Sequence, residues 1–248
     1  MSYILGTGYY SNGRNGLDWF AKIWLENTFL FADPLPERIV CVSVGNSHPP
    51  YPPMGLDGLT PINVLDLSGN AGHIHQLLGL TKPHKPHHYC GVTATFALLA
   101  SLAYANECDF VYKEQDCLAF GLWVPQMYEE LGGRSMAFGR CRIMGSAQSL
   151  FVVRHQFLPT FISYLFRSGS ERDQFNLPEH KFSRLQIEMP DQVKYFNFGY
   201  DRDRPLNMND MVWYAQKFTP EELRQLVKLR LINAEDMPEN VPLFSNVV

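Results

Sequence analysis

The stretch Arg38-Ile39-Val40-Cys41-Val42-Ser43-Val44 carries β-branched residues at positions 39, 40, 42 and 44 and no charge after Arg38. A strand that apolar along its length needs cover on both faces, which a parallel sheet between layers of helices supplies. Its neighbours in sequence fit that frame. Tyr3-Ile4-Leu5 reads as a first strand running into a glycine loop, Gly6 to Gly13. Asp18 is an N-cap for a helix carrying Trp19, Phe20, Ile23 and Trp24 and reaching Phe29, with Pro34 and Pro36 ending it. A proline-rich loop (Pro49, Pro50, Pro52, Pro53) precedes a short strand, Ile62 to Leu67, and Ser68-Gly69-Asn70-Ala71-Gly72 opens a helix through Leu80. Val92 to Ala105 is apolar on nearly every side, a buried helix, and Asp109 to Glu114 is the next strand. This alternation predicts an α/β fold, a mainly parallel central sheet with helices on both faces.

The second half is less regular. Ser149 to Val153 reads as a strand, and Pro159 starts a helix through Phe166. Ser168 to Pro178 and Gly199 to Asn209 read as polar loops. Thr219-Pro220-Glu221-Glu222 is a capping box that opens a helix with Leu223, Leu226 and Leu229. With no internal repeat and no clear linker, the expectation is a single domain over residues 1–248.

Composition excludes several classes. At 46% hydrophobic and 19% charged, the 248-residue chain has material for a sizeable core. The net charge is −4 and no long Lys/Arg run occurs, which argues against a nucleic-acid partner. The N-terminus lacks a basic segment followed by a long apolar one, so no signal peptide is expected, and Val92 to Ala105 is too short to span a bilayer. The five cysteines form no Cys-x-x-Cys pair, which suggests reduced, buried thiols and a cytoplasmic setting.

The chemistry concentrates after Phe110-Val111-Tyr112. That β-type run leads into two carboxylates, Glu114 and Asp116, with Gln115 between them and the apolar Cys117-Leu118-Ala119-Phe120 beyond. Ligands of open α/β sheets sit at the carboxyl ends of strands. Two oxygen donors there suit Mg²⁺ or Mn²⁺ against a phosphate. The plain alternative is a pair of surface carboxylates, but charges so close to a core usually have a partner or a ligand. On strand alternation, Gln115 is expected to point away from its two neighbours.

Other constellations are weaker. Gly6-Thr7-Gly8 departs from a dinucleotide fingerprint because position 11 is Ser, yet such a turn can seat a base or ribose, with Tyr9 and Tyr10 stacking on it. Asn70, Gly72 and His73 lie at a strand-to-helix turn suited to an anion. The histidines from His73 to His88 raise the alternative of a zinc-dependent hydrolase. Their spacing lacks the i, i+4 pairing of a catalytic zinc helix, which favours a solvated loop. Glu171, Asp173 and Glu179 are carboxylates of a polar region able to supply a general base, and Glu179 ranks first because Pro178 sets it at a helix start. His155, after a strand and beside Arg154, is a further ligand candidate whose default is a satisfied, partly buried side chain.

Over roughly residues 3 to 185 this order of elements, with an acidic x-Asp motif ending a strand after a buried helix, resembles the GT-A glycosyltransferases. The resemblance implies a hexosyl-type transferase that moves a sugar from a nucleotide-diphosphate donor to a glycan or other hydroxyl acceptor. It implies Mn²⁺ or Mg²⁺ on the donor diphosphate, held by Asp116 and Glu114; Glu in place of the usual first Asp is a departure. It implies a donor half over residues 1–120, with Thr7, Gly8 and Tyr9 at the base, Asn70, Gly72 and His73 at the phosphate or sugar, and Gln115 in the motif. Residues 121–248 would hold the acceptor. A non-catalytic glycan- or partner-binding protein of the same fold is the other alternative. An inverting transfer would use Glu179, Asp173 or Glu171 as base, and a retaining one would need none.

Overall fold

A computed structural model of the chain describes residues 2–9, 18–43, 49–67, 90–140, 145–166, 178–200, 214–216 and 218–233. In chain order the elements are β1 (Tyr3–Tyr9), α1 (Asp18–Phe31), β2 (Arg38–Ser43), β3 (Ile62–Asp66), α2 (Cys90–Ala105), β4 (Asp109–Lys113), β5 (Cys117–Ala119), α3 (Trp123–Leu131), β6 (Met136–Arg140) and β7 (Ala147–Val153). There follow α4 (Leu158–Leu165), α5 (Pro178–Glu188), β8 (Val193–Tyr200), β9 (Tyr214–Gln216) and α6 (Pro220–Lys228).

The central sheet has strand order β3-β2-β1-β4-β7-β6-β8. Strands β3, β2, β1 and β4 are mutually parallel. β7 runs antiparallel to both β4 and β6, and β8 is parallel to β6, so β7 alone opposes the rest. The mainly parallel sheet read from the sequence is the observed one. β5 leaves it and pairs antiparallel with β9 in a separate two-stranded ribbon.

Period-two alternation sorts the strands' side chains into two cores. Leu5, Val111, Ala137 and Val152 face α1, α3 and α6 through Phe20, Trp24, Trp123, Met127 and Leu223. Ile4, Phe110, Tyr112, Phe151 and Val153 face α2, α4 and α5 through Phe96, Leu99, Phe161 and Phe182. The second core is aromatic: Phe96 meets Tyr112 at 4.7 Å and Phe151 at 5.1 Å, and Phe151 meets Phe182 at 5.0 Å. Each such ring contributes roughly 1.5–3 kcal/mol by leaving water. The result is three layers, helices on either side of one sheet.

Local signals explain the helix ends. Thr219 caps α6 in a capping box: Glu222 N–H donates to Thr219 Oγ1 at 3.2 Å, and Thr219 N–H donates to Glu222 Oε2 at 2.7 Å. α1 begins at Asp18 and stops before Pro34, and α5 begins at Pro178, as expected.

Three sequence expectations need correction. Gly6-Thr7-Gly8-Tyr9 is strand, not loop: β1 runs to Tyr9, fully buried and paired with β2 on one side and β4 on the other. Gly6 is glycine because of packing, since a Cβ there would lie 2.7 Å from Leu99 Cδ1 and 2.8 Å from Phe110 Cε2. Gly199 and Tyr200 close strand β8 and do not open a loop. Residues 114–116 form a turn, so strand alternation does not govern Gln115. The expected helix from Ser68, the histidines from His73 to His88, the loop of Ser168 onward and the tail after Asn233 lie outside the described residues.

Candidate active site at the carboxyl edge of the sheet

β4 is a central strand, and its carboxyl end delivers the acidic pair. Ladder pairing with β7 ends at Lys113, opposite Leu150. The chain then turns: Cys117 N–H donates to the Glu114 carbonyl at 2.9 Å and the polypeptide leaves the sheet as β5. Glu114, Gln115 and Asp116 are therefore carried on a tight turn at the sheet's edge, half-buried.

Glu114 is tied to β7 twice. Its N–H donates to the Ser149 carbonyl at 2.8 Å, and Ser149 Oγ donates to Glu114 Oε2 at 2.9 Å. Ser149 shares a strand face with Phe151 and Val153, so the Glu114 carboxylate lies on the side of α2, α4 and α5. The opposite side of the turn is held by α1. Trp24 Nε1 donates to the Glu114 carbonyl at 2.9 Å. Asn27 behaves like a neighbouring strand toward Ala119, accepting its N–H at 3.1 Å and donating to its carbonyl at 3.0 Å. Lys113 Nζ donates to Asn27 Oδ1 at 3.0 Å and Thr28 Oγ1 at 2.7 Å and stands 4.5 Å from the centre of the Trp24 ring. Burial lowers Lys113 from the ordinary lysine range to about 7, against a smaller raising effect of Cys117.

Glu179 reaches the same edge. It sits in the first turn of α5, where a carboxylate is favoured by the helix dipole. Its carbonyl accepts a hydrogen bond from Ser146 Oγ, just ahead of β7, and Phe182 one turn on packs in the core beneath. Glu179 is 9% exposed and its Oε2 is buried without a hydrogen-bond partner. The structure thus brings Glu114, Asp116 and Glu179 to the carboxyl end of the sheet, with the Glu114 carboxylate and α5 on one face.

The other predicted residues divide. Thr7 and Gly8 lie buried in the last part of β1 near this edge, Gly8 N–H donating to the Tyr112 hydroxyl at 3.3 Å. Tyr9 is a core residue: 1% exposed, it packs with Ala21 and Cys41 and meets Tyr51 edge-on at 6.4 Å, which corrects its reading as an open stacking ring. His155 lies at the opposite end of β4. Its backbone N–H donates to Asp109 Oδ1 at 2.7 Å and its ring stacks on Tyr104 at 5.1 Å. Arg154 pairs with Asp109 at 3.9 Å in the same corner, so both residues fasten the amino edge. Asn70, Gly72, His73, Glu171 and Asp173 lie outside the described residues. Sequence reasoning missed Trp24, Asn27, Lys113 and Ser149 as site residues; only Lys113, a charge closing the apolar run Phe110 to Tyr112, carried a visible signal.

Among the described residues no group of three or more His, Cys, Asp or Glu side chains is gathered to hold a metal. Two carboxylates on one turn nevertheless fit Mg²⁺ or Mn²⁺, which bind through one or two carboxylates and complete their shell with substrate phosphate and water.

Compared by sequence, the chain matches no protein-family model and no curated protein. Compared as a structure, it has the GT-A glycosyltransferase fold. It is similar to mouse xyloside xylosyltransferase 1 in its apo form, with TM-score 0.55 and 10% identity over 82% of this chain and 88% of that one. The galactosyltransferase LgtC, in complex with donor and acceptor sugar analogues, gives TM-score 0.51 and 12% identity over 96% and 98%. A glycosyltransferase involved in glycosylation of the major capsid of PBCV-1 gives 0.54 and 8% over 92% and 100%. No helix among the described residues is long and apolar enough to cross a membrane.

Proposed function

We propose that the chain is a metal-dependent glycosyltransferase that moves a hexosyl group from a nucleotide-diphosphate donor to a hydroxyl of a glycan or other acceptor. The observation that carries this reading is the acidic turn Glu114–Asp116 at the carboxyl end of a central strand, fastened on both sides, in a GT-A fold. Asp116 and Glu114 would hold Mn²⁺ or Mg²⁺, which supplies charge neutralisation on the leaving diphosphate. Ser149 keeps the Glu114 carboxylate turned toward the α5 side. Thr7 and Gly8 border the base, and we assign Asn70, Gly72 and His73 to the donor phosphate or sugar, making residues 1–120 the donor half and 121–248 the acceptor half of one domain.

In the transfer, the bond from the anomeric carbon to the diphosphate oxygen breaks, a bond to the acceptor oxygen forms, and the nucleotide leaves with the electron pair. If configuration inverts, a carboxylate must take the acceptor proton. Glu179 suits that role through its unpartnered Oε2, with Asp173 and Glu171 as the other candidates; a retaining transfer does not use it. Among the described residues Cys41, Cys108 and Cys117 are buried and form no disulfide, which suits a reducing, cytoplasmic compartment.

The experiment is turnover of nucleotide sugars with Mn²⁺ by the wild type and by Asp116→Ala. Turnover that needs the metal and is lost in the variant supports the reading. Equal turnover in both removes the turn from the chemistry.

A further inference from the structure

Lys113 is fully buried and forms no ion pair among the described residues. An ammonium in that state is costly. What it contacts is specific. Asn27 and Thr28 accept its two hydrogen bonds, and the Trp24 ring lies 4.5 Å under its head group, all on one stretch of α1, with the Trp123 ring of α3 farther off at 5.9 Å. Two of those residues also grip the acidic segment, Trp24 at the Glu114 carbonyl and Asn27 at both backbone groups of Ala119 on β5. The turn is therefore held at its first residue and on the strand leaving it, by side chains that converge on the lysine just before it. Lys113 lies on the α1 side, whereas the Glu114 carboxylate is bonded to Ser149 on the α5 side, so the lysine acts on the turn through α1.

We propose that Lys113 is a positioning residue for binding of the metal–diphosphate unit: by bonding Asn27 and Thr28 and packing on Trp24, it fixes α1 against the Glu114–Ala119 segment and sets the direction in which Glu114 and Asp116 present their oxygens. This rests on the reading of that turn given under Proposed function.

The test uses the full chain with Lys113→Met and, separately, Asn27→Ala. Binding of Mn²⁺ together with each of UDP, GDP, ADP, CDP and dTDP is measured by calorimetry, alongside the melting temperature and hydrogen exchange of a peptide covering residues 114–120. Loss of an outer support of a metal site weakens binding about 10–100-fold, and both variants should fall in that range with faster exchange across 114–120. Lys113→Met should melt no lower than the wild type, because an apolar chain replaces a buried, unpaired ammonium. Asn27→Ala changes no charge, so an equal loss there excludes missing positive charge as the cause. Wild-type affinity in Lys113→Met overturns the proposal, as does a loss confined to Lys113→Met or a loss accompanied by a lower melting temperature and unchanged exchange. A wild type that binds none of the five nucleotides sinks the reading of the turn and the role of Lys113 with it. Binding by the wild type with no change in either variant sinks the role of Lys113 alone.

Discussion

Gly6→Ala separates two roles for the first glycine run, a ligand-facing loop and a packed strand. The added methyl carbon would lie 2.7 Å from Leu99 Cδ1 and 2.8 Å from Phe110 Cε2. Ordinary carbon–carbon contact is about 3.5–4.0 Å, so α2 or the Phe110 ring must retreat by roughly 1 Å. Leu99 and Phe110 are both fully buried, and Phe110 already meets Phe151 at 5.3 Å and Tyr112 at 6.4 Å, so the retreat presses on the aromatic core. Overpacking of this kind costs about 1–3 kcal/mol. For a chain of this size that lowers the melting temperature by roughly 2–12 °C. Gly133 is the control: a Cβ there meets nothing within 4 Å, and Gly133→Ala should stay within about 0.5 kcal/mol of the wild type. Urea titration and thermal melting of both variants, with Mn²⁺–nucleotide affinity measured alongside, decide the matter. A Gly6→Ala protein with wild-type stability and impaired nucleotide binding would refute the packing argument and restore the loop reading.

Ser149→Ala removes the hydroxyl that bonds Glu114 Oε2. A hydrogen bond to a charged group contributes about 1.5–3 kcal/mol, so Mn²⁺–nucleotide affinity should fall roughly 10-fold or more by calorimetry; unchanged affinity would mean that Glu114 is not oriented by Ser149. Glu179→Gln should leave donor binding intact and, if Glu179 is the base of an inverting transfer, slow turnover about 10²–10⁴-fold. Full activity with a retained anomer in the product removes it from that role. In the metal-free protein, the lowered pKa of Lys113, about 7 against 10.5, means that the unfolded chain binds more protons between those values. Stability relative to Lys113→Met should therefore rise as pH climbs from about 7 toward 10, and be at its lowest and flat below about 7. Urea titrations of both proteins across that range check it, and a difference independent of pH would contradict the burial of the charged group.

The fold was legible where its signals are local. Cover on both faces goes with the apolar run Ile39 to Val42 in β2, a Pro and a capping box mark the start of α6, and Pro178 marks the start of α5. Intrinsic preference alone ends the first strand at Leu5, because glycine weakens a strand. Here Gly6 is required by the approach of Leu99, a residue far along the chain that no local pattern reveals. The mixed end of the sheet, with β6, β7 and β8, escaped for a related reason. The antiparallel placing of β7 between β4 and β6 is a choice of topology, and the side chains of a doubly covered strand do not record its direction.

The acidic turn divides in the same way. Its carboxylates, and the return to the core at Cys117–Ala119, can be read from six consecutive residues. Its orientation cannot, because β5 pairs with β9 almost a hundred residues on, and the grip of α1 spans separations of 86 residues for Lys113–Asn27 and 92 for Asn27–Ala119. A carboxylate pair announces which ion it suits through the hardness and number of its oxygens. On the role proposed for Lys113, the direction of those oxygens is set by Ser149 on one side and, on the other, by a buried lysine, an asparagine and a tryptophan indole that hold α1 against the turn. Substitutions at Asn27 or Trp24 should consequently disturb the chemistry of the turn without altering a single residue of the motif.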